Sequence, residues 1–326
     1  MSSSSLLHLR NFQIPFTLTC LVCLLTGCGG GSAGPSAESS GKPTVIAVSY
    51  PLASIALRLG GDAIELSYPV PAEEDSVFWS PGDDDVLAMQ GVDLLLLNGA
   101  GHEPWEAQVI LSPLTKAVTA QGFRDQWIEL EDAVTHKHGP EGEHTHAGLV
   151  ATTWLDPLQF REQIQVVQLS LVKLLPDQRE AIEERTEQAS RELQALHERW
   201  ENIRELLGDQ PLIASHPVYH YLARRYGWNV KNEHWEPDED PTAEQWQAFD
   251  ELRKMHPAKI MIWEDEPTPA TREQLAARGI QVLVLPTLAS GSPTDEVIGA
   301  MSANAAHFEA ELRKGLAARE NSPPNP

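Results

Sequence analysis

The sequence predicts an α/β protein of two lobes, each a mainly parallel sheet flanked by helices, joined by one long rigid helix. Three observations predict it. Short aliphatic runs alternate with helix-like stretches in both halves, the order that pairs strands in parallel and leaves ligand sites at their carboxyl ends. Between the halves, residues 176–207 carry one unbroken helical pattern. The chain has 326 residues, 41% of them hydrophobic, which is enough for two cores of ordinary domain size.

The linking helix is the most legible element. Pro176 suits a first helical position, and Asp177, Glu180, Glu183 and Glu184 load the opening turns with charge that the helix dipole favours. Ala189, Leu193, Leu196, Trp200, Ile203 and Leu207 recur at steps of four and three and form one apolar stripe. Glu187 and Arg191 make an i, i+4 pair on a polar face, and Gly208 supplies a C-terminal stop. At 1.5 Å per residue the segment is a rod of about 48 Å. A coiled-coil segment is the alternative reading of the same stripe.

Residues 1–27 read as a secretory signal: Arg10 precedes an apolar run over 14–25. The run ends in Leu25-Thr26-Gly27-Cys28, which resembles the lipobox of bacterial lipoproteins and implies cleavage before Cys28 and a lipid on its thiol. Residues 28–43 then form the lipidated cysteine and a Gly/Ser-rich flexible tether. Cys20 and Cys23 lie inside the signal, so the mature chain has no cysteine pair, and its stability must come from packing.

The amino-terminal lobe is expected over 44–156, with strands at 45–48, 64–68 and 93–98 and helices at 52–59 and around 84–89. Residues 133–147 interrupt it as a polar stretch without apolar periodicity, expected to be a mobile loop. Helices fill 157–207, beginning with one over 158–175. The carboxyl-terminal lobe covers 208–316. Its strands are expected at 212–215, 259–263 and 281–285, and its helices at 217–226, 242–255, 269–278 and 294–316. Thr242 and Gln245 make a capping box. Residues 317–326 read as a disordered tail.

The formal charge is -23, with 47 acidic against 24 basic residues. Nucleic acid is excluded as a partner, because phosphate neutralisation needs a basic face. Acidity suits a cationic ligand, although it also serves solubility. No nucleophile elbow, phosphate loop or dinucleotide fingerprint is present, so the chain does not read as an enzyme. Four of its twelve histidines crowd into 136–146. His136, His138, His144 and His146, flanked by carboxylates, offer donors for a borderline cation such as Zn²⁺, and spacing alone does not separate it from Cu²⁺ or Ni²⁺. His216 and Glu264 stand at two strand ends of the second lobe, with His234 and Glu236 in a loop that can face the same cleft. These four are the candidate metal ligands, against ordinary hydrogen bonding between lobes.

Four stretches carry a family resemblance: Ser49-Tyr50-Pro51-Leu52, Asn98-Gly99-Ala100-Gly101-His102-Glu103-Pro104-Trp105, Trp154-Leu155-Asp156-Pro157, and residues 219–227. With them, residues 44–315 resemble the metal-binding lipoprotein receptors of bacterial zinc and manganese ABC importers, a family that includes cell-adhesion lipoproteins. The resemblance implies two lobes on a rigid helix with one divalent cation, zinc above others, bound between them. It also implies an exported monomer anchored through Cys28 in the membrane, facing the periplasm or cell exterior, and an ABC permease in the cytoplasmic membrane as partner. The family's usual ligands fall here on Val77, Thr152, His216 and about Pro286, so only His216 is retained. Two rival readings follow: a degenerate binding fold that buffers metal through its His-rich loop or serves as an interaction lipoprotein, and a hydrolase using His216 and Glu264, which lacks a nucleophile.

Overall fold

The computed structural model describes residues 41–72, 74–130, 134–137, 143–146 and 148–320. The expected signal, Cys28 and residues 29–40 of the tether lie outside the described residues. The first lobe holds β1 (Thr44–Ala47), β2 (Glu65–Ser67), β3 (Leu94–Leu97) and β4 (Lys116–Val118), all parallel in the order β2-β1-β3-β4. The second holds β7 (Leu212–Ala214), β8 (Val230–Asn232), β9 (Ile260–Trp263) and β10 (Gln281–Val284), all parallel in the order β10-β9-β7-β8. Every residue of β3, β7 and β9 is buried, as expected of parallel strands covered on both faces. The sequence reading missed β4 and β8. Both are three-residue edge strands without a fully buried residue, too short to show a period.

Helix α1 (Tyr50–Gly60) follows β1, and α2 (Asp83–Gly91) precedes β3. Helix α3 (Pro157–Leu174) starts at Asp156, whose carboxylate accepts from the backbone N–H groups of Leu158 and Gln159. A 3-10 turn at Pro176–Gln178 then leads into α4 (Arg179–Leu207), which Gly208 ends at φ 55°. The long helix is therefore an α-helix preceded by one tighter turn. In the second lobe α5 (His220–Tyr226), α6 (Ala243–Met255), α7 (Pro269–Ala277) and α8 (Val297–Glu320) complete the fold.

Three boundaries differ from expectation for physical reasons. The 133–147 segment contains two antiparallel strands, β5 (Val134–Lys137) and β6 (Glu143–His146), which set His136 opposite His144. Backbone pairing builds this hairpin without apolar periodicity. Helix α5 begins at His220 rather than 217, because the carbonyl of Val218 and the side chain of Tyr219 are engaged by other segments. Helix α8 starts three residues late and runs four residues past 316. The Ser54 hydroxyl accepts from Val297 N–H at its start, and Arg319 bonds Gln210, Gln281 and the Lys259 carbonyl at its end. Residues 321–326 lie outside the described residues.

The α4 stripe does not cross open solvent. Ile182, Ala189, Leu193, Leu196, Trp200, Ile203 and Leu207 are buried in one hydrophobic cluster that also takes residues from α1, α3, α8 and both sheets. The stripe is thus covered within the chain, and the long helix is a core shared by the lobes. Trp200 lies at its centre, with ring centres of Trp228 and Phe308 each 5.6 Å away and Tyr226 at 6.2 Å. Trp200→Ala should cost about 3–5 kcal/mol in chemical denaturation. Arg191→Ala, on the exposed face, should stay within about 0.5 kcal/mol.

Candidate functional site

The loops that leave the carboxyl ends of the two sheets meet at one cleft of about 1070 Å³. Asp75, Val77 and Phe78 come from the loop after β2, and Leu149 to Thr152 from the strap before α3. The second lobe supplies His216 after β7, Glu236 after β8, Glu264 and Asp265 after β9, and Pro286 to Ser290 after β10. Val77, Thr152, His216 and Pro286 therefore all face one space. The four positions that the family resemblance picked out converge, although only one of them carries a strong donor.

His216 is the chemical centre of the cleft. Its Nε2 lies 3.1 Å from Glu236 Oε1 and its Nδ1 lies 2.8 Å from Glu264 Oε1, while the residue is only 6% exposed. Burial works against the charged ring, but hydrogen bonding and charge from Glu236 and Glu264 outweigh it and raise the pKa to about 9. At neutral pH the site holds an imidazolium between two carboxylates. His234 packs edge-on against His216, with ring centres 6.3 Å apart, and is not among the lining residues. His220, at the first turn of α5, has its pKa lowered by desolvation, with a hydrogen bond to the Pro217 backbone opposing, and belongs to the packing.

Among the described residues, no three His, Cys, Asp or Glu side chains are arranged to hold a metal ion as they stand. The reason is visible at His216: the two carboxylates flank its ring on opposite nitrogens instead of converging on a common point. Thr152 is also spent, because its hydroxyl donates to the Val218 carbonyl at 2.5 Å, across the cleft. Of the loop histidines, His136 lies in β5 and His144 and His146 in β6, while His138 lies outside the described residues. The hairpin rises from the rim of the cleft: Leu130 N–H donates to Gly148 O, and Leu130, Gly148 and Leu149 line the opening.

The residues of the resemblance do structural work around this cleft. Trp154 Nε1 donates to Thr287 O, and Tyr219 Oη to Leu285 O. Asp156, besides capping α3, accepts from Arg225 of the second lobe at 2.8 Å. Glu103 accepts from the N–H groups of Asn98 and Gly99, holding a turn in which Gly99, Ala100 and Gly101 all have positive φ. His102 reaches Ser76 at 3.1 Å, and Ser76 donates to Ala289 O on the far side of the cleft. Sequence reasoning did not find Ser76 or Arg225. Their signal was position alone, one beside Val77 and the other within residues 219–227.

The chain matches the family described as zinc-uptake complex component A, periplasmic, over residues 45–311. It is 25% identical over 286 residues to the high-affinity zinc uptake system protein ZnuA of Bacillus subtilis, covering 84% of this chain and 87% of that one. It is 24% identical over 218 residues to the manganese-binding lipoprotein MntA of Halalkalibacterium halodurans, covering 66% and 68%. Its fold matches the Zn(II)-bound ZnuA-like domain of Streptococcus pneumoniae AdcA with a TM-score of 0.68 at 18% identity, over 83% of this chain and 99% of that one.

The ion triad makes stability depend on pH. The folded pKa of His216, about 9, exceeds the unfolded value of about 6.5, so its contribution is complete below pH ~6.5 and is lost as pH rises through 9. The span is on the order of 3 kcal/mol. Denaturant titrations between pH 6.5 and 9.5 should show this decline in the native chain and a flatter profile in His216→Gln.

Proposed function

The chain belongs to the family of periplasmic component A proteins of zinc-uptake complexes, and from this we propose that it is the extracytoplasmic solute-binding lipoprotein of a metal-type ABC importer. It takes a divalent cation, zinc above manganese, in the cleft between its lobes and presents it to a membrane permease. The observation that carries the reading is the convergence of both sheets' carboxyl ends on His216, Glu236 and Glu264, in a cleft whose lining holds four carboxylates and no lysine or arginine. The family consists of solute-binding components, not enzymes.

The geometry supports a specific division of labour. Two zinc ligands at about 2.0–2.1 Å in tetrahedral arrangement stand about 3.3 Å apart. Glu236 Oε1 lies 3.1 Å from Nε2, so a swing of the carboxylate off the N–H axis lets both atoms reach one cation in place of the shared proton. Glu264 can stay on Nδ1, where it orients the ring and raises its basicity. Glu236 and His216 are then ligands, Glu264 the positioning carboxylate, and His234 a packing neighbour. The His-rich hairpin at the rim acts as a second, weaker capture site. Residues 1–43 export the protein and tether it to the membrane through lipid on Cys28.

Binding in this way must expel the His216 proton. Calorimetry at pH 7 in buffers of different ionisation enthalpy should therefore report close to one proton released per Zn²⁺ bound at the cleft. The full chain carrying His136→Ala, His138→Ala, His144→Ala and His146→Ala should keep this event and lose only weaker binding. Adding His216→Ala should abolish it, and Glu264→Gln should weaken it about tenfold. No proton release, or cleft binding indifferent to His216, contradicts the assignment. Separately, Cys28→Ala should shift the protein from the membrane to the soluble fraction, and mass spectrometry should find a lipid at Cys28 only in the native chain.

A further inference from the structure

The cation reading leaves a deficit in donors and an excess of space. Zinc takes about four ligands. The cleft offers His216 and Glu236, with Glu264 committed to the far nitrogen of the same ring. The opposite wall contributes no imidazole: Val77, Leu149 and Val150 are apolar, the Thr152 hydroxyl is bonded to Val218 O, and its carboxylate, Asp75, accepts from the Val77 N–H. A bare ion seated at His216 would fill only a small part of about 1070 Å³.

That volume is at the upper end of sites built for organic ligands, which are mostly apolar with a few placed polar groups. The lining has this character. Val77, Phe78, Leu149, Pro217, Pro286 and Leu288 supply hydrocarbon walls, and Asp75, Glu236, Glu264 and Asp265 supply negative charge. Even against a protonated His216, the four carboxylates leave the cleft net negative. The complementary occupant is cationic, has a flat or compact apolar body, and brings its own metal donors.

We propose that the cargo is a divalent cation already held by a small organic chelator, with the metal completing its shell on His216 and Glu236 and the chelator's apolar body lying against Val77, Leu149 and Val150. This rests on the cation reading above and specifies its substrate class. No covalent bond changes. The metal gains one nitrogen and one oxygen ligand from the protein in place of two waters, and the His216 proton leaves to solvent.

The test uses the full chain with the four hairpin substitutions and three probes: Zn²⁺ alone, Zn²⁺ carrying one bipyridine, and bipyridine alone. The zinc–bipyridine complex should bind about tenfold tighter than Zn²⁺, and bipyridine alone should not bind measurably. Val77→Trp narrows the apolar wall and should weaken the complex about tenfold more than it weakens Zn²⁺ alone. Ser80→Trp, at an exposed lining position, is the second variant should Val77→Trp fail to fold. Zn²⁺ binding as tightly as the complex, or a complex indifferent to both wall variants, overturns the chelate proposal and leaves the cation reading standing. Bipyridine alone binding as tightly overturns it as well. If no zinc-containing probe binds, or binding survives His216→Ala, the cation reading fails and takes the proposal with it.

Discussion

Two parallel sheets can share one cleft only if their strand ends are held face to face, and in this chain Asp156 sets that constraint. It is 1% exposed, it ends the strap from the first lobe, and its carboxylate both starts α3 and receives Arg225 from α5 of the second lobe. Arg225 is 30% exposed, so the pair is half-buried, and the Asp156 carboxylate is held also by the Leu158 and Gln159 N–H groups. Everything near it depends on the register it fixes. Thr152 meets Val218, Trp154 meets Thr287, and Ser76 meets Ala289, each a hydrogen bond from a first-lobe side chain to a second-lobe carbonyl. At the back of the molecule Arg58 of α1 grips Glu192 of α4 and Glu296 beside α8. The shared core around α4 makes these contacts mutually consistent.

A protein whose lobes are joined by its own hydrogen bonds does not need a cation to close it. A first-lobe metal ligand would couple closure to occupancy. Here the Thr152 hydroxyl is bonded to Val218 O where such a ligand would stand, which leaves any coupling to the second lobe. The ion triad fits that role. His216 lies between Glu236 and Glu264, so in the proposed mode a cation enters by exchanging for a proton rather than by drawing two walls together.

How much of this was legible in the sequence follows from the physics of each signal. The α4 stripe and the aliphatic strands β1, β3, β7 and β9 were readable because burial on a face or on both faces imposes a period. Edge strands β4 and β8 were not, since three half-exposed residues carry no period. The β5–β6 hairpin was read as a loop because its pairing is a backbone property. His216 and Glu264 were found from strand ends, and Glu236 from its loop. Their shared ion pair was beyond the sequence, since it depends on how the loops after β7, β8 and β9 fold over one another. The same limit hid the Thr152 to Val218 bond, which turns an absent ligand into an interlobe contact.

The residues that carry the family resemblance and the residues that line the cleft therefore answer to different demands. Asn98, Glu103, Trp154, Asp156 and Tyr219 are fixed by the need to set turns, start a helix and bond carbonyls across the lobes. Val77, His216 and Pro286 line the cleft. A chain can keep the first set and change the second without altering its fold, because no element of either sheet depends on a metal for its hydrogen bonds. Membership of the family thus follows from the scaffold, while the cleft that would select a cargo is lined by four carboxylates, one imidazole and an apolar wall.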